Sequence, residues 1–193
     1  KKVWAEQYKG IVEYRPQHKT VAVDAKTNTV KFDVQDDLKA AVLNVIPSMR
    51  AGAIAVKARL NNQANNRWCG VNYLTFESTA ANDVYVLGDS IQIAPAMPKS
   101  GHMANSHGKV AASAIVAQFS GWDVNPAPML TNTCYSFIDE KNVVHVASVH
   151  EYVAAEKTFK TVAGSGGFSA APSELEGVYA LNWASNIWAD SLT

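Results

Sequence analysis

Residues 84–89, Val-Tyr-Val-Leu-Gly-Asp, constrain this chain more than any other segment. The apolar, β-branched run predicts a strand, and Gly88-Asp89 ends it. Met97-Pro98-Lys99-Ser100-Gly101 then leads into an Ala-rich stretch that predicts a helix. This order sets a carboxylate at the carboxyl end of a buried strand, beside a helix N-terminus. Open α/β sheets bind nucleotide-like ligands in such crevices. The expected fold class is therefore α/β, passing to α+β toward the C-terminal end. No Gly-x-Gly-x-x-Gly follows a strand ahead of residue 84, so the expectation is a partial dinucleotide-binding fold. Its diphosphate-binding unit has to be supplied from elsewhere.

Composition narrows the classes. Across 193 residues, 48% hydrophobic and 18% charged describe a globular chain rather than a disordered one. Zero net charge without a Lys/Arg block argues against nucleic acid or an anionic membrane surface as partner. No apolar stretch reaches the ~18 residues of a transmembrane helix. Two cysteines, Cys69 and Cys134, rule out a four-Cys zinc site within the chain and leave pairing open.

The first third reads as a β-meander: Ile11–Tyr14, Thr20–Asp24 and Thr29–Val34, separated by polar turns. Ala40–Ile46 is a nearly continuous apolar run, expected to be a strand buried on both faces. Ala51–Leu60 predicts a short helix and Ala104–Phe119 a long one, with Gly121 as its C-terminal stop. After Pro126 and Pro128, strands are expected at Cys134–Ile138 and Val143–Val149, then a flexible loop at Gly164–Gly167. Ser173 and Glu176 have capping-box spacing, and Tyr179, Trp183 and Ile187 give a terminal helix one apolar face.

Each candidate residue admits two uses. Asp89 either accepts hydrogen bonds from a cofactor's hydroxyls or sits in an ordinary surface turn. A helix starting at Ser100-Gly101 aims free N–H groups at an anionic ligand edge, or Ser100 is a plain N-cap. Lys99 is a ligand contact or a solvated cation. Cys134 is a redox thiol or a packing residue, and Trp183 faces a cofactor or fills the core. No pair of the five histidines has metalloprotease spacing, so no metal site is expected. Leu87-Gly88-Asp89-Ser90-Ile91 also looks like the nucleophile block of GDSL-type esterases. Neither His145 nor His150 has Asp three residues before it, however, and without a base Ser90 is not activated.

An ordered set of segments carries a closer resemblance. It comprises Val42-Leu43-Asn44-Val45-Ile46-Pro47, Trp68-Cys69-Gly70-Val71-Asn72, Thr75-Phe76-Glu77-Ser78 and Val84–Asp89. Met97–Gly101, Lys109–Ala112, Asn132-Thr133-Cys134-Tyr135-Ser136, Gly166-Gly167 and Tyr179 with Trp183 continue it. In these the chain resembles the flavoprotein subunits of flavocytochrome c sulfide dehydrogenase, among the pyridine nucleotide-disulfide oxidoreductase-like flavoproteins. Ser90, His102-Met103 and His107 depart from that pattern, which more often has Ala, Tyr-Ser and Gln there.

The resemblance implies FAD, sulfide as substrate, a c-type cytochrome partner that carries the haem, and a periplasmic location. Gly88 and Asp89 would meet the flavin's ribityl chain, and Met97, Pro98, Lys99, Ser100 and Gly101 would line its ring with Trp183 nearby. Cys134 would be one half of a redox-active disulfide whose other cysteine lies in the family's N-terminal half; Cys69 does not match it. Residues 1–52 would end the inserted NAD(P)-like domain, 53–122 return to the FAD domain, and 123–193 form the C-terminal domain. Without the N-terminal half, the chain is expected neither to hold FAD tightly nor to turn over. Electron delivery to a quinone, and a non-catalytic assembly module, remain the alternatives.

Overall fold

The computed structural model describes residues 1–192. These form two compact units, Lys1–Met49 and the chain from Arg50 onward. In the first, a one-turn helix α1 (Lys2–Glu6) precedes an antiparallel sheet of β1 (Thr20–Asp24), β2 (Thr29–Phe32) and β3 (Leu38–Lys39), in that order. The β1–β2 turn is set locally: the Asp24 carboxylate accepts from the N–H groups of Lys26 and Thr27. Asn28 takes the left-handed conformation that Asn tolerates.

Two expectations fail in this unit. Ile11–Tyr14 forms no strand, and Ala40–Ile46 is not a buried one; the pairing stops at Lys39. Val42 and Ile46 are 86% and 84% exposed. A continuous apolar run is buried only where a neighbouring strand pairs with it and layers cover both faces, and among residues 1–49 nothing does so.

The second unit builds its core around the long helix α3 (Gly101–Ser120). Ahead of it lie the short helix α2 (Ala53–Lys57), the small ladder of β4 (Val71–Asn72) with β5 (Glu77–Ser78), and a 3-10 turn at Gly88–Ser90. After it comes a four-stranded antiparallel sheet. In that sheet β7 (Val143–Val153) pairs with β6 (Met129–Phe137), β8 (Thr158–Thr161) and β9 (Gly167–Phe168). Helix α4 (Glu174–Leu192) closes the described chain. Phe76, Ile91, Met97, Met103, Leu130 and Phe159 interlock in the core, pinning α3 between the preceding loops and β6.

The termini of α3 follow from local chemistry. Ser100 has extended backbone and accepts the Met103 N–H on its hydroxyl, while Gly121 stops the helix in the left-handed region. The β6–β7 turn is held by Asp139, whose carboxylate accepts from the N–H groups of Lys141 and Asn142. Helix α4 makes half of its capping box: the Glu176 N–H reaches Ser173 Oγ at 3.2 Å, but the Glu176 carboxylate turns to Ser169 and His145. Its buried face runs through Gly177 and Ala180 to the half-buried Trp183 and Ile187, leaving Tyr179 half exposed. The face is rotated because Gly177 lies against the Lys141 carbonyl, where an added Cβ would come within 2.4 Å.

The mixed helix-and-sheet class holds, but Val84–Leu87 is not the buried strand expected ahead of Gly88-Asp89. The segment makes one antiparallel bridge, Tyr85 to Glu77, and its Val84 and Leu87 side chains are exposed. Left-handed Asp83 and Gly88 bracket only four residues, and no described strand flanks them on the other side. The ladders among the described residues are antiparallel. No helix among them is long and apolar enough to cross a membrane, and no cluster of three or more His, Cys, Asp or Glu side chains could hold a metal ion.

Candidate functional site

The first turn of α3, the second half of β6 and the middle of α4 converge on a cleft of about 320 Å³. Ser100, Gly101, His102, Cys134, Tyr135 and Trp183 line it. Three elements distant in sequence thus bring four of the predicted residues together: Ser100, Gly101, Cys134 and Trp183. The aromatic wall is continuous, with Trp183 centred 5.7 Å from His102 and 5.9 Å from Tyr135.

Two residues that sequence reading named without a catalytic or binding role organise this cleft. Asn132 is buried; its amide oxygen accepts from the Ser100 hydroxyl, and its amide nitrogen lies 3.7 Å from Cys134 Sγ. It couples the helix cap to the thiol. Strand alternation puts residues two apart on one face, so the Asn-Thr-Cys spacing was the available signal. His102 Nδ1 accepts from the Thr133 N–H at 2.9 Å and from the Trp183 indole N–H at 3.3 Å. Burial holds the His102 imidazole below its ordinary pKa, and the nearby Lys109 ammonium adds to this. Cys69 and Cys134 are both free thiols. Cys69 is fully buried and its thiol is pushed up by burial, whereas Cys134 is partly accessible.

The Gly88–Ser90 turn lies beside α3 but does not line the cleft. Gly88 has φ +66°, and a Cβ there would meet Ala104 Cβ at 3.1 Å, so glycine admits both the conformation and the close approach. The buried His107 imidazole, stacked on Phe76 at 4.4 Å, accepts the Gly88 N–H on Nδ1 at 3.1 Å. Burial lowers its pKa to about 4. Lys99 Nζ donates to the carbonyls of Asp89 at 2.6 Å and Ile91 at 2.9 Å and lies 3.7 Å over the Trp68 ring. Its pKa is lowered by burial, against the supporting charge of Asp89.

These contacts assign the remaining predicted residues. The Lys99 ammonium is engaged by the carbonyls of its own turn. Met97 is 2% exposed and belongs to the core, whereas Pro98 is half-buried. Asp89 is exposed, and its carboxylate accepts no hydrogen bond from the described residues, which leaves it open to an incoming hydroxyl. Ser90 has no histidine in hydrogen-bonding reach among the described residues. His107, the imidazole of this turn, holds Gly88 instead, so the described residues do not form the esterase arrangement.

Chemically, the first turn of α3 presents the N–H groups of Gly101 and His102 without a partner among the described residues. An added Cβ at Gly101 would meet nothing within 4 Å. A helix of 20 residues places positive potential there. An apolar, aromatic-walled cleft with such an edge fits a flat heteroaromatic ring that gains negative charge on reduction. The open Asp89 carboxylate, at the turn against the same helix, fits a polyhydroxyl chain running from that ring.

Two family models match the chain. Residues 126–192 match the flavin-binding domain of flavocytochrome c sulphide dehydrogenase. Residues 1–47 match the central domain of the sulfide dehydrogenase (flavocytochrome c) flavoprotein chain. Asn132, Cys134 and Trp183 fall within the first match.

Proposed function

Because the chain belongs to the flavocytochrome c sulfide dehydrogenase flavoproteins, a family of flavin-dependent oxidoreductases, we propose that it oxidises sulfide at Cys134 with FAD in the cleft. One observation carries this reading: a partly accessible thiol, a helix N-terminus and an indole share the same aromatic-walled cleft. FAD, when bound, would accept two electrons and pass them singly to haem on a cytochrome partner.

The chain's own residues would do the following. Gly101 and His102 N–H groups would hold the anionic edge of the ring, and Asp89 would accept from the ribityl hydroxyls. The aromatic wall would exclude water from the reacting sulfur. Cys134 would enter the reaction as half of a disulfide. Hydrosulfide attacks Cys134 Sγ, the S–S bond breaks, the partner cysteine leaves as a thiolate, and Cys134 keeps the new sulfur as a persulfide. The Asn132 amide, 3.7 Å from Sγ, would steady that sulfur.

The reading extends to a periplasmic location and to a requirement for a Gly-rich strand–turn–helix unit, which this sequence does not contain. Without that unit the diphosphate of FAD has no N-terminal helix cradle, and the chain alone would bind FAD weakly and not turn over. Within the second unit, the exposed Val84 and Leu87 would offer it apolar surface. The test is a visible spectrum of the protein purified from its source, with intact masses of co-purifying chains. Flavin and haem bands are expected together with a chain carrying the Gly-rich motif; a colourless preparation of this chain alone, even with that motif supplied, would overturn the reading.

A further inference from the structure

His102 stands where three independent pieces of the second unit meet. It belongs to the first turn of α3, yet its two ring nitrogens are committed elsewhere. Nδ1 accepts from the backbone N–H of Thr133, the residue that precedes Cys134, and from the indole N–H of Trp183. An imidazole nitrogen facing two N–H donors is an acceptor, so the proton of the neutral ring sits on Nε2. From there it reaches Thr131 Oγ1 at 3.3 Å. Thr131 is itself tied to α3, because its carbonyl accepts from the Ser106 hydroxyl at 3.2 Å. The ring also separates two hollows: it is the one residue shared by the cleft containing Cys134 and a second cleft, of about 350 Å³, between α3 and Met129.

We propose that His102 is a positioning residue which, as the neutral Nε2–H tautomer, fixes the Cys134 backbone and the Trp183 indole in one frame with the α3 N-terminus. The ring does not react. It sets the separation of the thiol and the indole from the helix edge, the three groups that would have to surround a bound ring. The proposal rests on the cofactor reading of that cleft only for its functional meaning; the linkage itself is a property of the chain without cofactor.

The test separates the two nitrogens. Asn carries its side-chain oxygen where Nδ1 lies, whereas Gln carries its amide nitrogen where Nε2 lies. His102→Asn keeps the acceptor for Thr133 and Trp183, and His102→Gln loses it. Both variants are read by the rate of Cys134 reaction with a chromogenic disulfide, Cys69 being fully buried. They are also read by the Trp183 indole N–H resonance, assigned with Trp183→Phe. In His102→Gln the thiol is expected to react about fivefold faster or more, since one or two net hydrogen bonds are lost, and the indole resonance moves. In His102→Asn both stay near wild type. Equal behaviour of the two variants would overturn the proposal. If His102→Gln does not fold, the wild-type imidazole nitrogen spectrum decides: a protonated Nε2 and bare Nδ1 support it, and a protonated Nδ1 refutes it. None of these readouts needs flavin or sulfide, so a failed sulfide reaction alone would count against the function and not against His102.

Discussion

Replacing Lys99 by Met tests whether this cation is a clamp on the Gly88–Ile91 turn. Its ammonium donates at 2.6 and 2.9 Å to two carbonyls and lies 3.7 Å from the centre of the Trp68 ring. Hydrogen bonds from a charged donor contribute about 1.5–3 kcal/mol each, and the half-buried position argues for the lower end. The cation–π contact adds about 0.5 kcal/mol. Methionine keeps most of the apolar stem and recovers about 1 kcal/mol, which leaves a net loss of about 2 kcal/mol or slightly more. With a urea slope of about 2 kcal/mol/M, the unfolding midpoint should fall by about 1 M. Circular dichroism at a helix wavelength is the assay, because α3 and α4 lie in the same unit as the turn. Lys99→Arg, whose planar fork cannot sit as a point charge between the two carbonyls, should fall between. A Lys99→Met midpoint within about 0.2 M of wild type would show that the ammonium points to solvent and that the clamp does not exist.

Further outcomes follow from His107 and from two helix glycines. His107 is lowered to about 4 in the fold against an ordinary value of about 6.5. Its contribution to stability is therefore complete above pH ~6.5, declines as pH falls, and levels off near pH 4, for a total of about 3 kcal/mol; chemical denaturation across that window should show the slope. His107→Asn, which keeps an acceptor for Gly88, should flatten it. Gly177→Ala should destabilise the chain by about 1–3 kcal/mol because its Cβ meets the Lys141 carbonyl at 2.4 Å. Gly108→Ala, with open space around it in α3, should stabilise by about 0.5–1 kcal/mol; thermal melts compare the two.

The parts of the fold that were legible in sequence are those decided within a few residues. Ser100 and Gly121 delimit α3 because a cap and a stop act on their own turn, and Asp139 fixes the β6–β7 turn through its neighbours' N–H groups. Burial of Ala40–Ile46 and pairing of Val84–Leu87 depend on strands that the described residues do not supply, so local pattern misreads them. In the site, Ser100, Cys134 and Trp183 were marked by residue type. Asn132 and His102 were not, because their roles come from contacts across about 30 and 81 positions of the chain. Lys99 was visible as a cation, but its inward direction was set by two carbonyls and an indole that no spacing rule brings together.

Sulfide oxidation at Cys134 is tested most directly by anaerobic titration of the flavin-loaded complex with sulfide, for wild type and Cys134→Ser side by side. The account predicts that sulfide bleaches the flavin band of the wild type stoichiometrically and leaves that of Cys134→Ser unchanged, with the flavin content of the two equal. Bleaching of Cys134→Ser at the wild-type rate would contradict it.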